Sequence, residues 1–177
     1  MRPLLKDVRN KPLKKIAYLQ TDFGELAVAE LDGAISDVFL TSRTLLSNVV
    51  EKETPLLKKA KRQIREYLAG KRRAFDLPLG LNGSEFQQTV LAAVIKIPYG
   101  ETRSYKQIAE DIGHPRAARA VGTANRHCRL SILVPCHRVI RSNGSMAEFG
   151  EENSLRDYLL AMEAESAPPA GGRKEGR

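Results

Sequence analysis

The sequence predicts an α+β protein: a small N-terminal antiparallel sheet with one helix, followed by a mostly helical C-terminal part. Three observations carry this. Short apolar runs at 16–19, 26–29 and 35–40 are separated by Asp22-Phe23-Gly24 and Asp32-Gly33, the turn chemistry of a hairpin meander. From Thr54 the apolar period becomes helical, and the helices open on hydroxyl caps. Last, the run Ile132-Leu133-Val134 leads into Pro135-Cys136-His137-Arg138, which sets a thiol beside an imidazole.

In chain order, residues 1–15 are basic and proline-punctuated and read as an arm before the meander. Thr54 caps a helix that has Pro55 at its first position and ends at Gly70. Leu56, Leu57, Ala60, Ile64, Tyr67 and Leu68 form its apolar stripe, and the lysines and arginines between them read as a solvated face. Residues 71–83 read as a linker. Ser84 and Gln87 make a capping box for a helix with Phe86, Val90, Leu91, Val94 and Ile95 on its apolar face, closed by Pro98-Tyr99-Gly100.

A second capping box, Ser104 with Gln107, opens a short helix carrying Ile108, Ala109 and Ile112 and stopped at Gly113. His114-Pro115 is expected to open the next helix at once, giving a helix-turn-helix. At 100° per residue, Arg116, Arg119, Thr123 and Arg126 share one face of that helix, and Ala117, Ala118, Val121 and Ala124 share the other. A solvated face reads similarly, but no carboxylate occurs between Pro115 and Val139, and a surface kept merely soluble usually mixes signs.

The run 132–134 reads as a short buried strand that stops where the thiol is presented. Val139-Ile140 extends an apolar strand, and Asn143-Gly144 marks a tight turn. Ser154, with Asp157 three residues on, caps a last helix whose buried stripe is Leu155, Tyr158, Leu159 and Met162, with Glu163 at its edge. Residues 164–177 lack core-forming content and read as a disordered tail. The expected organisation is an N-terminal domain with linker at 1–83, a C-terminal domain at 84–163, and the tail.

At 177 residues and 42% hydrophobic, the chain can bury a real core. Its formal net charge of +8 points to an acidic partner such as nucleic acid. No apolar run approaches membrane-spanning length, and the basic N-terminus lacks the apolar stretch of a signal peptide. The expected location is the cytoplasm, or the nucleus of a eukaryotic cell. Two cysteines, Cys128 and Cys136, without an export signal suggest reduced thiols, and with His114, His127 and His137 they fit no standard metal spacing. No metal and no cofactor is expected.

Only a thiolate attacks well, so a reactive Cys136 needs a neighbour that takes its proton, and His137 is adjacent. Neighbours in a strand point to opposite faces, so the two meet only if the backbone turns or a water bridges them. A lone intracellular cysteine is more often a small buried hydrophobe. Glu163 either escapes to solvent at its helix edge or, if buried, orients the imidazole in a Cys-His-Glu relay.

Three segments together, Ser104-Tyr105-Lys106-Gln107-Ile108-Ala109, Ala117-Ala118-Arg119-Ala120-Val121-Gly122 and the stretch from Ile132 through Pro135-Cys136-His137-Arg138 to Ile140, resemble the O6-methylguanine-DNA methyltransferases. The likeness spans residues 84–163 in order and spacing. It implies that Cys136 irreversibly accepts the alkyl group from O6 of guanine in double-stranded DNA, each molecule acting once as a monomer. It also implies that His137 is the base, through a water, and Glu163 the orienting carboxylate. Arg119 matches the arginine that enters the base stack from the minor groove, and Tyr105 the tyrosine that helps turn out the phosphate; Arg116, Thr123 and Arg126 extend the DNA contact. Tyr105, Pro135, Val139, Phe149 and Gly150 would line the pocket.

The sequence departs from this family in two places. Cys128-Arg129 stand where an Asn-Pro pair usually fixes the hinge between recognition helix and active site, so the hinge is expected to be looser or differently bonded. Where glycines and an aromatic are usual, the loop reads Glu148-Phe149-Gly150-Glu151-Glu152. Its carboxylates oppose a polyanion, and a preference for methyl over bulkier adducts is expected. Three other classes remain open at this point: a non-catalytic alkylguanine sensor, which would normally lack the cysteine; a dimeric helix-turn-helix transcription factor; and a thiol hydrolase.

Overall fold

A computed structural model describes residues 12–41, 48–145 and 153–166. The predicted meander is present as β1 (Lys14–Thr21), β2 (Gly24–Leu31) and β3 (Ala34–Leu40), antiparallel in sequence. Its turns fall at the predicted glycines, with Gly24 and Gly33 at φ of 111° and 79°, a region open to glycine at no steric cost. A strand that the pattern did not reveal, β4 (Val49–Glu51), pairs parallel to β1 and makes the sheet mixed, in the order β3-β2-β1-β4. Three residues, two of them exposed, carry no readable period.

One face of the sheet, with Ala17, Leu19, Leu26, Val28 and Val38, packs on α1 (Pro55–Leu68) through Leu57, Ala60, Ile64 and Tyr67. Thr54 Oγ1 accepts from Leu57 N at 3.1 Å, and Pro55 costs nothing where helix N–H groups lack partners. The stretch read as a linker is part of the fold. Ile35 N donates to Pro78 O and Gly80 N to Ile35 O, both at 2.8 Å, and Phe75, Leu77, Leu79 and Leu81 pack on the core. That alternation is itself a strand signal, interrupted by Pro78 and Gly80.

The helical half contains α2 (Glu85–Ile95), β5 (Arg103–Ser104), α3 (Tyr105–Asp111), α4 (Ala118–Arg126), β6 (Val139–Ile140) and α5 (Asn153–Ser166). Both capping boxes form as predicted. Ile95 is exposed, and Ile97, beyond the helix, takes its place in the core. α4 starts later than expected: Pro115 and Arg116 occupy a turn, and Ala117 precedes the first helical residue. The run 132–134 is not a strand. It folds into a tight turn with Ile132 at φ of 73°, and its amides bond locally, Leu133 N to Ser131 O and Val134 N to Leu130 O. A β-branched residue in that region stores on the order of 1–3 kcal/mol of strain.

α5 begins at Asn153, so Ser154 lies inside it rather than capping it, and it continues through Ser166, beyond the predicted start of the tail. Tyr158 is partly exposed rather than buried in the stripe: its ring lies 4.9 Å from Phe23, and its hydroxyl donates to Leu68 O at 2.7 Å. The core is continuous from Leu19 and Ile64 through Val94 and Ile108 to Val134 and Leu159.

Candidate active site and nucleic-acid face

The turn at 132–134 feeds Cys136 into a single 3₁₀ turn, Cys136–Arg138. Successive side chains there are about 120° apart rather than opposed, so thiol and imidazole need not point to opposite faces. Cys136 is 6% exposed and His137 2%. α5 brings up Glu163, which is 1% exposed, so the carboxylate is in the interior and does not escape to solvent.

Glu163 is held from several elements. His137 Nε2 lies 2.6 Å from Oε1, Arg138 Nε donates to Oε2 at 2.7 Å, and Arg138 Nη2 donates to Oε1 at 3.1 Å. Gly100 N donates to Oε2 at 3.0 Å, and the Tyr67 hydroxyl donates to Oε1. Burial alone would raise this carboxyl, but the bonds to His137 and Arg138, with Tyr67 behind them, hold it down at about 2. Burial pushes the His137 imidazole below its ordinary value, with Glu163 opposing. A neutral ring whose Nε2–H is committed to Glu163 keeps its lone pair on Nδ1.

The backbone beside the thiol is fixed from two helices. Cys136 O accepts from Asn125 Nδ2 of α4 at 3.2 Å and from Arg156 Nη2 of α5 at 2.5 Å. α4 shows the predicted two faces: Val121 and Ala124 are buried, while Arg119, Thr123 and Arg126 are exposed. Arg116 is exposed too, but in the turn before the helix. Thr123 Oγ1 turns back to Arg119 O at 3.2 Å. Tyr105 opens α3 with its ring beside Gly122, where a Cβ would lie 3.7 Å from Cδ1, and burial raises its phenol. Pro135 and Val139, on either side of the Cys136–Arg138 turn in the chain, are buried. Phe149, Gly150, Glu148, Glu151 and Glu152 lie outside the described residues.

Residues 14–81 match the family model described as 6-O-methylguanine DNA methyltransferase, ribonuclease-like domain, and residues 85–165 match that of the DNA binding domain. A constitutive methylated-DNA–protein-cysteine methyltransferase of Bacillus subtilis is 44% identical over 151 residues, 81% of this chain and 92% of that protein. The chain belongs to the 6-O-methylguanine DNA methyltransferase family. A methylated-DNA–protein-cysteine methyltransferase of Mycolicibacterium paratuberculosis is 51% identical over 106 residues, 60% of this chain and 64% of that one. The fold is similar to a crystal structure of Mycobacterium tuberculosis OGT in complex with DNA, with a TM-score of 0.80, 37% identity, and 88% and 96% of the two chains covered.

In this member of the methyltransferase family, the segment around Cys128-Arg129 is held by several bonds. Cys128 N closes on Asn125 O at 3.3 Å, and Asn125, three residues earlier, supplies the amide that reaches Cys136. Arg129 Nε is 2.6 Å from Oδ1 of the fully buried Asp37, whose other oxygen is 2.6 Å from Lys14 Nζ. Val38 N donates to Arg129 O at 2.7 Å, so β3 grips the segment between α4 and Cys136. Cys128→Asn is therefore expected to leave the methyl-transfer rate unchanged or to raise it. A collapse of that rate in a single-turnover assay would contradict this.

Sequence reasoning missed Tyr67, Gly100, Asn125, Arg138 and Arg156. Arg138 stood in the motif without a role, yet a buried arginine requires a partner. Tyr67 read as an ordinary stripe residue, because nothing local signals a bond across 96 positions.

Proposed function

We propose that this methyltransferase repairs O6-methylguanine in double-stranded DNA by moving the methyl group to Cys136 once and irreversibly. The single observation that supports the residue assignment most is the bond from His137 Nε2 to Glu163, which leaves Nδ1 free to take the thiol proton, directly or through one water. The thiolate sulfur attacks the methyl carbon; the O6–carbon bond breaks as the sulfur–carbon bond forms. The electron pair returns to guanine, which takes up one proton, and the resulting neutral thioether is a poor leaving group. One molecule therefore repairs one lesion.

A thiolate cannot attack in line at a carbon inside a paired duplex, so the base must leave the stack. Arg119, exposed on a face whose neighbours include the small Ala118 and Gly122, is suited to occupy the vacated space. Tyr105, Pro135 and Val139 are assigned to the receiving side, and Arg116, Thr123 and Arg126 to contacts with the DNA backbone. The scheme has the protein act as a monomer.

Arg119→Ala is expected to slow transfer from duplex DNA by about tenfold or more, because unstacking costs a few kcal/mol. Transfer from the free base should change little, and equal losses on both substrates would contradict the role. The reading as a whole is tested by quantifying labelled methyl moved from an O6-methylguanine duplex. Transfer should stop at one methyl per protein. Continued turnover would favour a hydrolase, and tight lesion-selective binding without transfer a sensor.

A further inference from the structure

The proton relay is built entirely in the helical half except for one group. Tyr67, in the last turn of α1, is fully buried, and its hydroxyl lies between Glu163 Oε1, to which it donates, and Arg138 Nη2, from which it accepts at 3.2 Å. Its ring is fixed by Phe75 at 4.9 Å and, edge-on, by Tyr99 at 6.1 Å. This places a neutral donor from the N-terminal half on the same carboxylate oxygen that His137 uses.

We infer that Tyr67 is a positioning residue that sets the basicity of His137 by withdrawing charge from Glu163 Oε1, so that the N-terminal half completes the relay. The inference rests on His137 acting as the base for Cys136. A carboxylate oxygen that serves one more donor has less negative charge to offer the imidazolium. Removing the hydroxyl makes Glu163 a stronger partner for protonated His137, which then holds its proton to higher pH and is lost as an acceptor there. Burial, then the bond to Glu163, raises the Tyr67 phenol, so it remains a donor across the working range.

Among the described residues, the charged and titratable groups that act on His137 are Glu163 and Arg156 from α5 and Arg138 from its own turn, with Cys136 beside it in sequence and Tyr67 of α1 on Glu163. Tyr99, from the segment after α2, stands behind Arg138, whose guanidinium carbon is 5.6 Å from its ring centre. Glu163 is held low, while burial, opposed by the bond to Glu163, leaves the Arg138 guanidinium raised and burial raises the Tyr67 phenol, so none of the three changes charge between about pH 5 and 9. The acid limb of the transfer rate over that window therefore reports the Cys136–His137 pair, whose imidazole is the member bonded to Glu163.

The test is single-turnover methyl transfer by the full chain from saturating O6-methylguanine duplex, measured from about pH 5 to 9. Tyr67→Phe keeps the ring and leaves Glu163 Oε1 with two other donors, so folding should survive. Its acid limb is expected to move upward by up to about one unit, with up to a tenfold rate loss near pH 6 and little loss at the plateau. Site-specific replacement of Tyr67 by 3-fluorotyrosine, a stronger donor of nearly the same size, should move the limb downward. A limb that stays in place in both proteins, or a uniform loss at every pH, overturns the inference. No transfer by the unaltered protein at any pH would instead overturn the proposed function on which it rests.

Discussion

Glu163→Gln is expected to lower both stability and transfer by large amounts. The substitution keeps shape but removes the charge that balances Arg138, whose Nε and Nη2 both reach this carboxylate from a position only 7% exposed. Breaking a buried pair on one side leaves an uncompensated charge and costs about 3–5 kcal/mol. The new amide also brings N–H donors to a site that already receives donors from Tyr67, Gly100, Arg138 and His137. With the imidazole no longer fixed by Nε2, the rate should fall by about 10²- to 10⁴-fold. Urea unfolding and single-turnover transfer measure the two effects, and wild-type transfer by a folded variant would contradict the relay.

The same residue gives a pH signature. Glu163 is held at about 2 in the folded chain against an ordinary 4.5. Its contribution is thus present above about pH 4.5 and is lost as pH falls toward 2. His137, buried with a lowered value, acts in the same direction: acid favours the unfolded chain once pH drops below the ordinary 6.5. The wild type should lose stability through this range, and the Glu163→Gln variant should lack the lower part of that loss.

Cys136→Ser is expected to abolish transfer while leaving lesion-dependent binding in place. A hydroxyl in this turn is far less acidic than a thiol, so a neutral imidazole does not supply a useful alkoxide. The exposed α4 face and the bonds from Asn125 and Arg156 to the backbone at position 136 do not involve the sulfur. Binding measured by fluorescence anisotropy should change by less than about threefold, as for a substitution that removes no DNA contact. Methyl transfer retained by this variant would point to Cys128.

Much of the fold was legible in the sequence because its signals are local. The capping boxes at Ser84 and Ser104, the Thr54-Pro55 helix start and the glycine turns of the meander each depend on a few neighbouring residues. The errors arose where tertiary context overrides such signals. Residues 132–134 look like a strand because burial on all sides makes any backbone apolar, and Ile132 adopts a conformation that its side chain alone would disfavour. The segment containing Phe75, Leu77 and Leu79 looked like a linker because Pro78 and Gly80 break its pattern, yet β3 uses it as an edge partner.

The thiol, imidazole and carboxylate could all be named from sequence, and the structure brings His137 and Glu163 into contact. Tyr67, Asn125 and Arg156 could not, since their partners are distant in the chain and their own surroundings read as ordinary helix. The hinge is the instructive case. The change to Cys128-Arg129 was visible, but the bonds beside it, from Asn125 to Cys136 and from Arg129 to Asp37, needed three dimensions.

The most direct measurement is intact mass followed by peptide mapping after incubation with a duplex holding one O6-methylguanine. A single added methyl group located on Cys136, and none with unmodified duplex, is the predicted result. A methyl group on Cys128 or elsewhere, or no added mass after prolonged incubation with excess lesion, would contradict the assignment of Cys136 as acceptor.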